Sequence, residues 1–301
     1  MFDALRRSNK HWQYLSKSWI FRGQADSYWS LLPVTLREKQ TTLTHHPQRE
    51  PGPYGVTYQQ IEQEVQHVER FIRNANYHGL PIPGEGATVL RTLLDDWFNA
   101  RTEMESWRQF PRREIAEAFA LAQHHGVPTR LLDWTRDPMT AAYFAATGAA
   151  KDLNNKCAAD RMGIWAFCNE VLQFVPKETG EFISIIDPPR APNKNLLAQN
   201  GVFSLHVHPL NPSEKTLAVP FDSVVENVYG THVDRCFVHN QLGAPLVQFT
   251  LPTTQSRHLL KLLAEEDITA AKLFPGYDGI VKEMWESLHL RQSWRSPPES
   301  G

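Results

Sequence analysis

Between residues 129 and 138 the chain reads Thr-Arg-Leu-Leu-Asp-Trp-Thr-Arg-Asp-Pro, then runs directly into the apolar segment Met139 to Ala146. No other stretch limits the fold as tightly. Asp137 stands where a helix N-cap belongs. Pro138 suits the first helical position, because its φ is fixed and its missing N–H would go unpaired there anyway. Ala141, Ala142, Phe144 and Ala145 then supply a helix small enough to pack closely. Such a helix begins in the interior, with Asp133, Trp134 and Thr135 at its mouth. The free N–H groups and the roughly half positive charge of a helix N-terminus favour an anion at that mouth. The alternative is purely structural: Asp133 and Thr135 cap, and Trp134 packs over the helix.

The rest of the chain divides by periodicity. Trp19 to Phe21 reads as a short strand ending at Arg22-Gly23. Ile61, Val65, Val68, Phe71 and Ile72 recur at helical spacing between Tyr58 and Asn76, and the Gly/Pro cluster from Gly79 to Gly86 stops that helix. A second helix carries Leu90, Leu93, Leu94, Trp97 and Phe98. A third carries Ile115, Ala118, Phe119 and Ala122 and ends at Gly126, where glycine suits a left-handed cap and Pro128 blocks continuation. Beyond the alanine-rich helix the character changes to strand-like runs at Ile164–Cys168, Phe182–Ile186, Val202–His208 and Leu246–Leu251, followed by helices at Ser256–Glu266 and Asp278–Leu288. The strand at Phe21 must pair with this later sheet, which predicts one α+β domain over residues 1–290 with a helical insertion at about 56–125. Residues 291–301, with Ser296-Pro297-Pro298, read as a flexible tail.

Composition narrows the function. In 301 residues, a formal charge of −2 supplies no global field for nucleic acid or an anionic membrane, so any such contact needs a local patch. Basic and aromatic residues interleave at Trp97, Phe98, Arg101, Trp107, Arg108, Phe110, Arg112 and Arg113, which reads either as a groove for single-stranded RNA or DNA or as the solvated face of an amphipathic helix. Three cysteines without a CxxC spacing argue against a disulfide framework and a thiolate zinc site, and the His45-His46 and His124-His125 pairs lack metal-binding spacing. With no signal-peptide or membrane-spanning run, the expected setting is cytoplasmic and metal-free.

Phe21-Arg22-Gly23-Gln24, the stretch from Ala122 to Thr135 beginning Ala-Gln-His-His-Gly-Val-Pro, and Gln199-Asn200-Gly201-Val202-Phe203 occur in an order that resembles the FRG domain, a bacterial family named after its first tripeptide. Lys272 to Gly279 is similar to the family's closing segment. Lys194-Asn195 departs from the pattern, where an arginine-containing approach to Gln199 is expected. The family in turn resembles ADP-ribosyltransferases in motif order. That resemblance implies a split mixed or antiparallel β-sheet core of ADP-ribosyltransferase type, with helical flanks and NAD lying across the split. Arg22 matches the first motif, Thr135 with Tyr143 and Phe144 the second, and Gln199 the third.

On this reading Arg22, Thr135, Gln199 and Asp133 are the catalytic set, and Arg22, Gly23, Gln24, Trp134, Thr135 and Tyr143 bind NAD. Arg22 forks onto pyrophosphate or a ribose, Tyr143 or Trp134 stacks on nicotinamide, and Gly23 lets a ligand or another backbone approach closely. Gln199 is neutral where such transferases commonly carry glutamate. Asp133 either acts as a base beside His124 and His125 or pairs with Arg130 or Arg136. His124, His125, Arg112 and Arg113 are the expected acceptor contacts. The implied activity is transfer of ADP-ribose from NAD to RNA, DNA or protein by an intracellular toxin or phage-defence effector, with a possible antitoxin partner. An inert nucleotide- or partner-binding module and an NAD hydrolase are the alternatives.

Overall fold

Strand β1, Trp19–Gln24, is the keystone of the architecture: its six residues run through the interior, with Trp19, Ile20, Phe21 and Gln24 all buried. The computed structural model describes residues 2–6, 8–9, 12, 18–37, 55–84, 86–99, 113–154, 158–174, 182–188, 193–207, 219–229 and 244–292. Among these, β1 joins β2 (Leu131–Thr135), β3 (Arg161–Cys168), β4 (Phe182–Ile186), β5 (Gly201–Val207) and β6 (Leu246–Pro252) in one open sheet of order β4-β5-β2-β1-β3-β6. All pairings are antiparallel. The early strand does pair with the late ones, and the sheet holds no parallel element.

Two expectations are corrected here. Leu131 to Thr135, read from its residues as the approach to a helix mouth, is a central strand. Its crowd of polar residues disguised a strand whose two faces meet different surroundings. The strands form one sheet, as the pairing of the Phe21 strand with the later strands required, and the split core implied by the resemblance is not divided into separate sheets. Yet the sheet is nearly parted at its centre: β1 and β2 share the single pair Phe21↔Thr135, whereas β1 and β3 pair from Trp19↔Cys168 to Gln24↔Gly163. At the parting, Arg22 Nη1 donates to the Asp133 carbonyl at 2.7 Å, so a side chain satisfies an acceptor that a backbone N–H of β1 does not.

Helices α1 (Gly55–Tyr77), α2 (Gly86–Asn99) and α3 (Arg113–His124) lie between β1 and β2 in the chain, as the periodicity indicated. Their stripe of Ile61, Val65, Val68, Ile72, Val89, Leu93, Ile115 and Phe119 forms a core of its own with Leu131, Ile186, Phe203 and Leu205 from the sheet. Helix α3 ends as its sequence requires: Gly126 takes φ +91° and the Val127 N–H returns to the Ala122 carbonyl at 3.0 Å. The insertion is also clamped by a buried ion pair. Glu64 of α1, 1% exposed, receives Arg130 Nε and Nη2, each at 3.0 Å, just before β2 begins.

The larger core lies around β1 and helix α4 (Pro138–Asn154). Asp137 behaves as the expected cap, accepting the Met139 N–H at 3.4 Å and the Thr140 hydroxyl at 3.0 Å. A Cβ at Gly23 would lie 2.0 Å from the Ala141 carbonyl oxygen and 2.7 Å from the Ala145 nitrogen. The close approach at Gly23 is therefore that of another backbone. Helices α5 (Lys194–Ala198), α6 (Ser256–Glu265), α7 (Ala270–Leu273) and α8 (Tyr277–Gln292) complete the described elements used below. Among the described residues no helix is long and apolar enough to cross a membrane.

Candidate functional site

Where β1 and β2 part, a crevice of about 310 Å³ opens, lined by Phe21, Arg22, Gly23, Asp133, Trp134, Thr135, Ala141, Phe144 and Gln199. Three distant segments thus meet: the end of β1, the end of β2 with the first turns of α4, and the turn between α5 and β5. Arg22, Thr135 and Gln199 all lie on its wall.

Arg22 carries the charge. Its side chain is 15% exposed, with Nη1 at 3.7 Å from Asp133 Oδ2, and its Nε is buried without a hydrogen-bond partner. Burial pulls the guanidinium pKa below its ordinary value. Asp133 opposes that shift, and Arg37 adds to it. Arginine keeps its proton in proteins nevertheless. A buried cationic N–H left unpaired is costly, at about 1–3 kcal/mol or more, and an anionic oxygen would relieve that cost.

Thr135 and Gln199 are tied into the scaffold. The Thr135 hydroxyl donates to the Gln199 carbonyl at 2.6 Å and accepts the Asp137 N–H at 3.0 Å. Gln199 caps the C-terminus of α5, and its Nε2 donates to the Leu273 carbonyl of α7 at 3.1 Å. Asn200 follows in the left-handed region at φ +49°, and its carbonyl accepts the Arg136 N–H at 3.0 Å. Gln199-Asn200-Gly201 is therefore a turn and a crevice wall at once.

Asp133 projects outward, its side chain 57% exposed, and accepts Gln123 Nε2 at 2.8 Å on Oδ1. Its ionic partner is Arg22. Arg130 is engaged by Glu64, and Arg136 meets Asp187 at 3.0 Å. His124 closes α3, and burial, followed by the adjacent His125, pulls its pKa below the usual imidazole value while Asp133 pulls the other way. His125 stacks on Phe71 with ring centroids 5.8 Å apart. Arg112 lies outside the described residues, as do Arg101, Trp107, Arg108 and Phe110. Arg113 opens α3, with its side chain outside them.

The two aromatic candidates for stacking are turned elsewhere. Trp134 is among the lining residues, but its indole is 4% exposed, donates to Ser204 Oγ at 2.8 Å and packs against Phe167 and Phe221. Alternation along β2 sends it to the face opposite Asp133 and Thr135. Tyr143 does not line the crevice. Its hydroxyl donates to Glu286 of α8 at 2.8 Å, and burial followed by that carboxylate raises its pKa. Phe144, one residue on, is the ring that reaches the crevice, packed edge-on to Phe274 at 6.1 Å. Gln24 sits beyond the lining residues with Oε1 receiving the Trp165 indole N–H at 2.8 Å, although its Nε2 is buried and unpaired. The residues that sequence reasoning missed are Gln123, Glu64 and Phe274. Gln123 stands inside the Ala122–Thr135 motif and Phe274 inside the Lys272–Gly279 segment, so both were there to be read, whereas Glu64 enters only through tertiary contacts.

The fold and the site together define an α+β protein whose open antiparallel sheet parts at its centre over an arginine-walled crevice. Residues 17–154 match the family model of the FRG domain. The match takes in Arg22, Asp133 and Thr135 and ends before Gln199 and the closing segment. No curated protein and no solved structure matches the chain.

Proposed function

We propose that the protein is an NAD-dependent ADP-ribosyltransferase. One observation supports this reading above the others: Arg22, Thr135 and Gln199, the three positions implied by motif order, line a single crevice at the one place where the sheet parts. A volume of about 310 Å³ lies at the lower end of small-molecule sites, which run from about 300 to 1,000 Å³, and suits one end of a dinucleotide. Arg22 would hold a phosphate or ribose oxygen, and Phe144 would supply the apolar wall for the nicotinamide ring. In the reaction the bond between nicotinamide and ribose C1 breaks with its electron pair leaving on the ring nitrogen. An acceptor nucleophile forms the new bond to C1, and its proton passes to Asp133. Fixed groups around the developing cation lower the barrier without reorganising. The acceptor class proposed is RNA first, then DNA or protein, in an intracellular toxin or phage-defence setting with an antitoxin partner.

Incubation with NAD labelled in the adenylate moiety tests this. Transfer of label to a macromolecule, lost in Arg22→Ala and in Gln199→Ala, is the expected result; transfer retained in both variants would overturn the site. A second reading, an inert nucleotide- or partner-binding module, is favoured by a specific observation: the Thr135 hydroxyl and the Gln199 amide nitrogen are already spent on backbone partners. Binding without turnover would establish it. Free ADP-ribose as the product would mark an NAD hydrolase.

A further inference from the structure

Asp133 is held from two sides. On one, Arg22 Nη1 contacts its carbonyl at 2.7 Å and approaches Oδ2 at 3.7 Å. On the other, Gln123 Nε2 donates to Oδ1 at 2.8 Å. The Gln123 amide is itself fixed, because the Thr129 hydroxyl donates to its Oε1, and Thr129 is buried and also accepts the Leu131 N–H at 3.3 Å. The order Thr129, Gln123, Asp133, Arg22 is therefore a continuous chain of polar contacts from the end of α3 to the cationic wall of the crevice. Each link has a defined donor, which also sets the orientation of the Gln123 amide.

Gln123 is the pivot of this chain. A glutamine in the last turn of a helix ordinarily rests in solvent, and its side chain loses rotamer freedom when it is held. Here it spends one amide end on Asp133 of β2 and the other on Thr129, just before that strand. We propose that Gln123 is a positioning residue for the crevice: by occupying Asp133 Oδ1 it fixes the carboxylate in the rotamer that leaves Oδ2 beside Arg22, and so sets how much of the Arg22 charge is available to a ligand. Without that hold, the carboxylate of an exposed aspartate is free to swing, either closing fully on Arg22 and neutralising it or leaving it altogether. The insertion thereby acts on the site through a fixed contact, since the neighbouring Arg130 is bound to Glu64 of α1. The function proposed above enters this inference only where ADP-ribose transfer is the readout.

The test uses the full chain and a pair of substitutions that reverses one hydrogen bond. Gln123→Glu keeps the acceptor for Thr129 but removes the donor to Asp133 and sets two carboxylates against each other. Asp133→Asn added to it restores a donor and an acceptor in reversed order at the same total charge. Phenylglyoxal labelling of Arg22, followed by peptide mass spectrometry in the absence of ligand, reads the state of the guanidinium directly, with Arg136 as the internal reference. The Arg22 labelling rate is expected to fall about tenfold in Gln123→Glu, as the repelled Asp133 carboxylate closes on Arg22, whereas in the Asp133→Asn background, where the hydrogen bond survives in reversed order, Gln123→Glu is expected to leave the rate of Asp133→Asn close to unchanged. An unchanged rate in Gln123→Glu, or an equal fall when residue 133 is already asparagine, would overturn the inference. ADP-ribose transfer is measured alongside. Its absence from the native protein would remove the proposed activity and leave the labelling result to decide the role of Gln123. If the native protein does transfer, the double variant separates holding from chemistry, since it keeps the geometry and lacks the Asp133 carboxylate.

Discussion

Glu64 and Arg130 show what a single residue pair contributes here. The two are 1% and 9% exposed and share two 3.0 Å contacts, so losing one partner takes a bidentate counter-charge from a buried ion. Glu64→Ala is expected to lower the unfolding free energy by about 3–5 kcal/mol, measured by urea denaturation at neutral pH; a loss under 1 kcal/mol would mean that the pair is dispensable. Gly23 acts through the absence of a side chain. Any Cβ there meets the backbone of α4, which cannot move aside as a flexible side chain would. Gly23→Ala should destabilise by about 1–3 kcal/mol, seen as a lower denaturation midpoint, and a neutral outcome would show that α4 does not sit against β1 as described.

The elements differ in how far their sequences announce them. The apolar stripe on α1, the Gly126 stop of α3 and the Asp137-Pro138 start of α4 are local signals, and each element stands where those residues put it. Strand β2 has no such signal. Leu131-Leu132-Asp133-Trp134-Thr135 does not alternate apolar with polar, because one face meets the insertion and the crevice while Leu132 and Trp134 pack in the main core. For the same reason the residues alone did not show that Trp134 turns away from the crevice, or that Tyr143 faces α8 while its neighbour Phe144 faces the site. Those directions are decided by strand register and helix rotation, which depend on distant partners.

Helix α8 carries a pH prediction of its own. Burial pushes the Glu286 carboxyl above its ordinary value, while the Tyr143 hydroxyl and then Lys282 pull it back. A carboxyl that binds its proton more tightly when folded contributes stability at low pH. That contribution is lost as pH rises from the unfolded value, about 4.3, through the higher folded one. The native protein should therefore lose thermal stability relative to Glu286→Gln across that window. A difference in Tm between the two proteins that stays constant with pH would contradict the assignment.

At the scale of the whole molecule, one sheet serves two cores. The insertion packs on one part of it and α4 with the C-terminal helices on another, and the crevice lies where β1 and β2 hold together by a single residue pair. The motif order in the chain was enough to name Arg22, Thr135 and Gln199 together, and the fold brings them to one wall. What the chain order does not reveal is that the Thr135 hydroxyl and the Gln199 amide nitrogen also stitch β2, α5 and α7 to one another, a consequence of contacts between segments 64 and 74 residues apart. The most direct test of the account is a crystal structure of the protein grown with ADP-ribose. The ligand is predicted to lie in the crevice with a phosphate or ribose oxygen on Arg22 and its remaining groups toward Thr135 and Gln199. Density for the ligand elsewhere on the molecule, with this crevice empty, would contradict it.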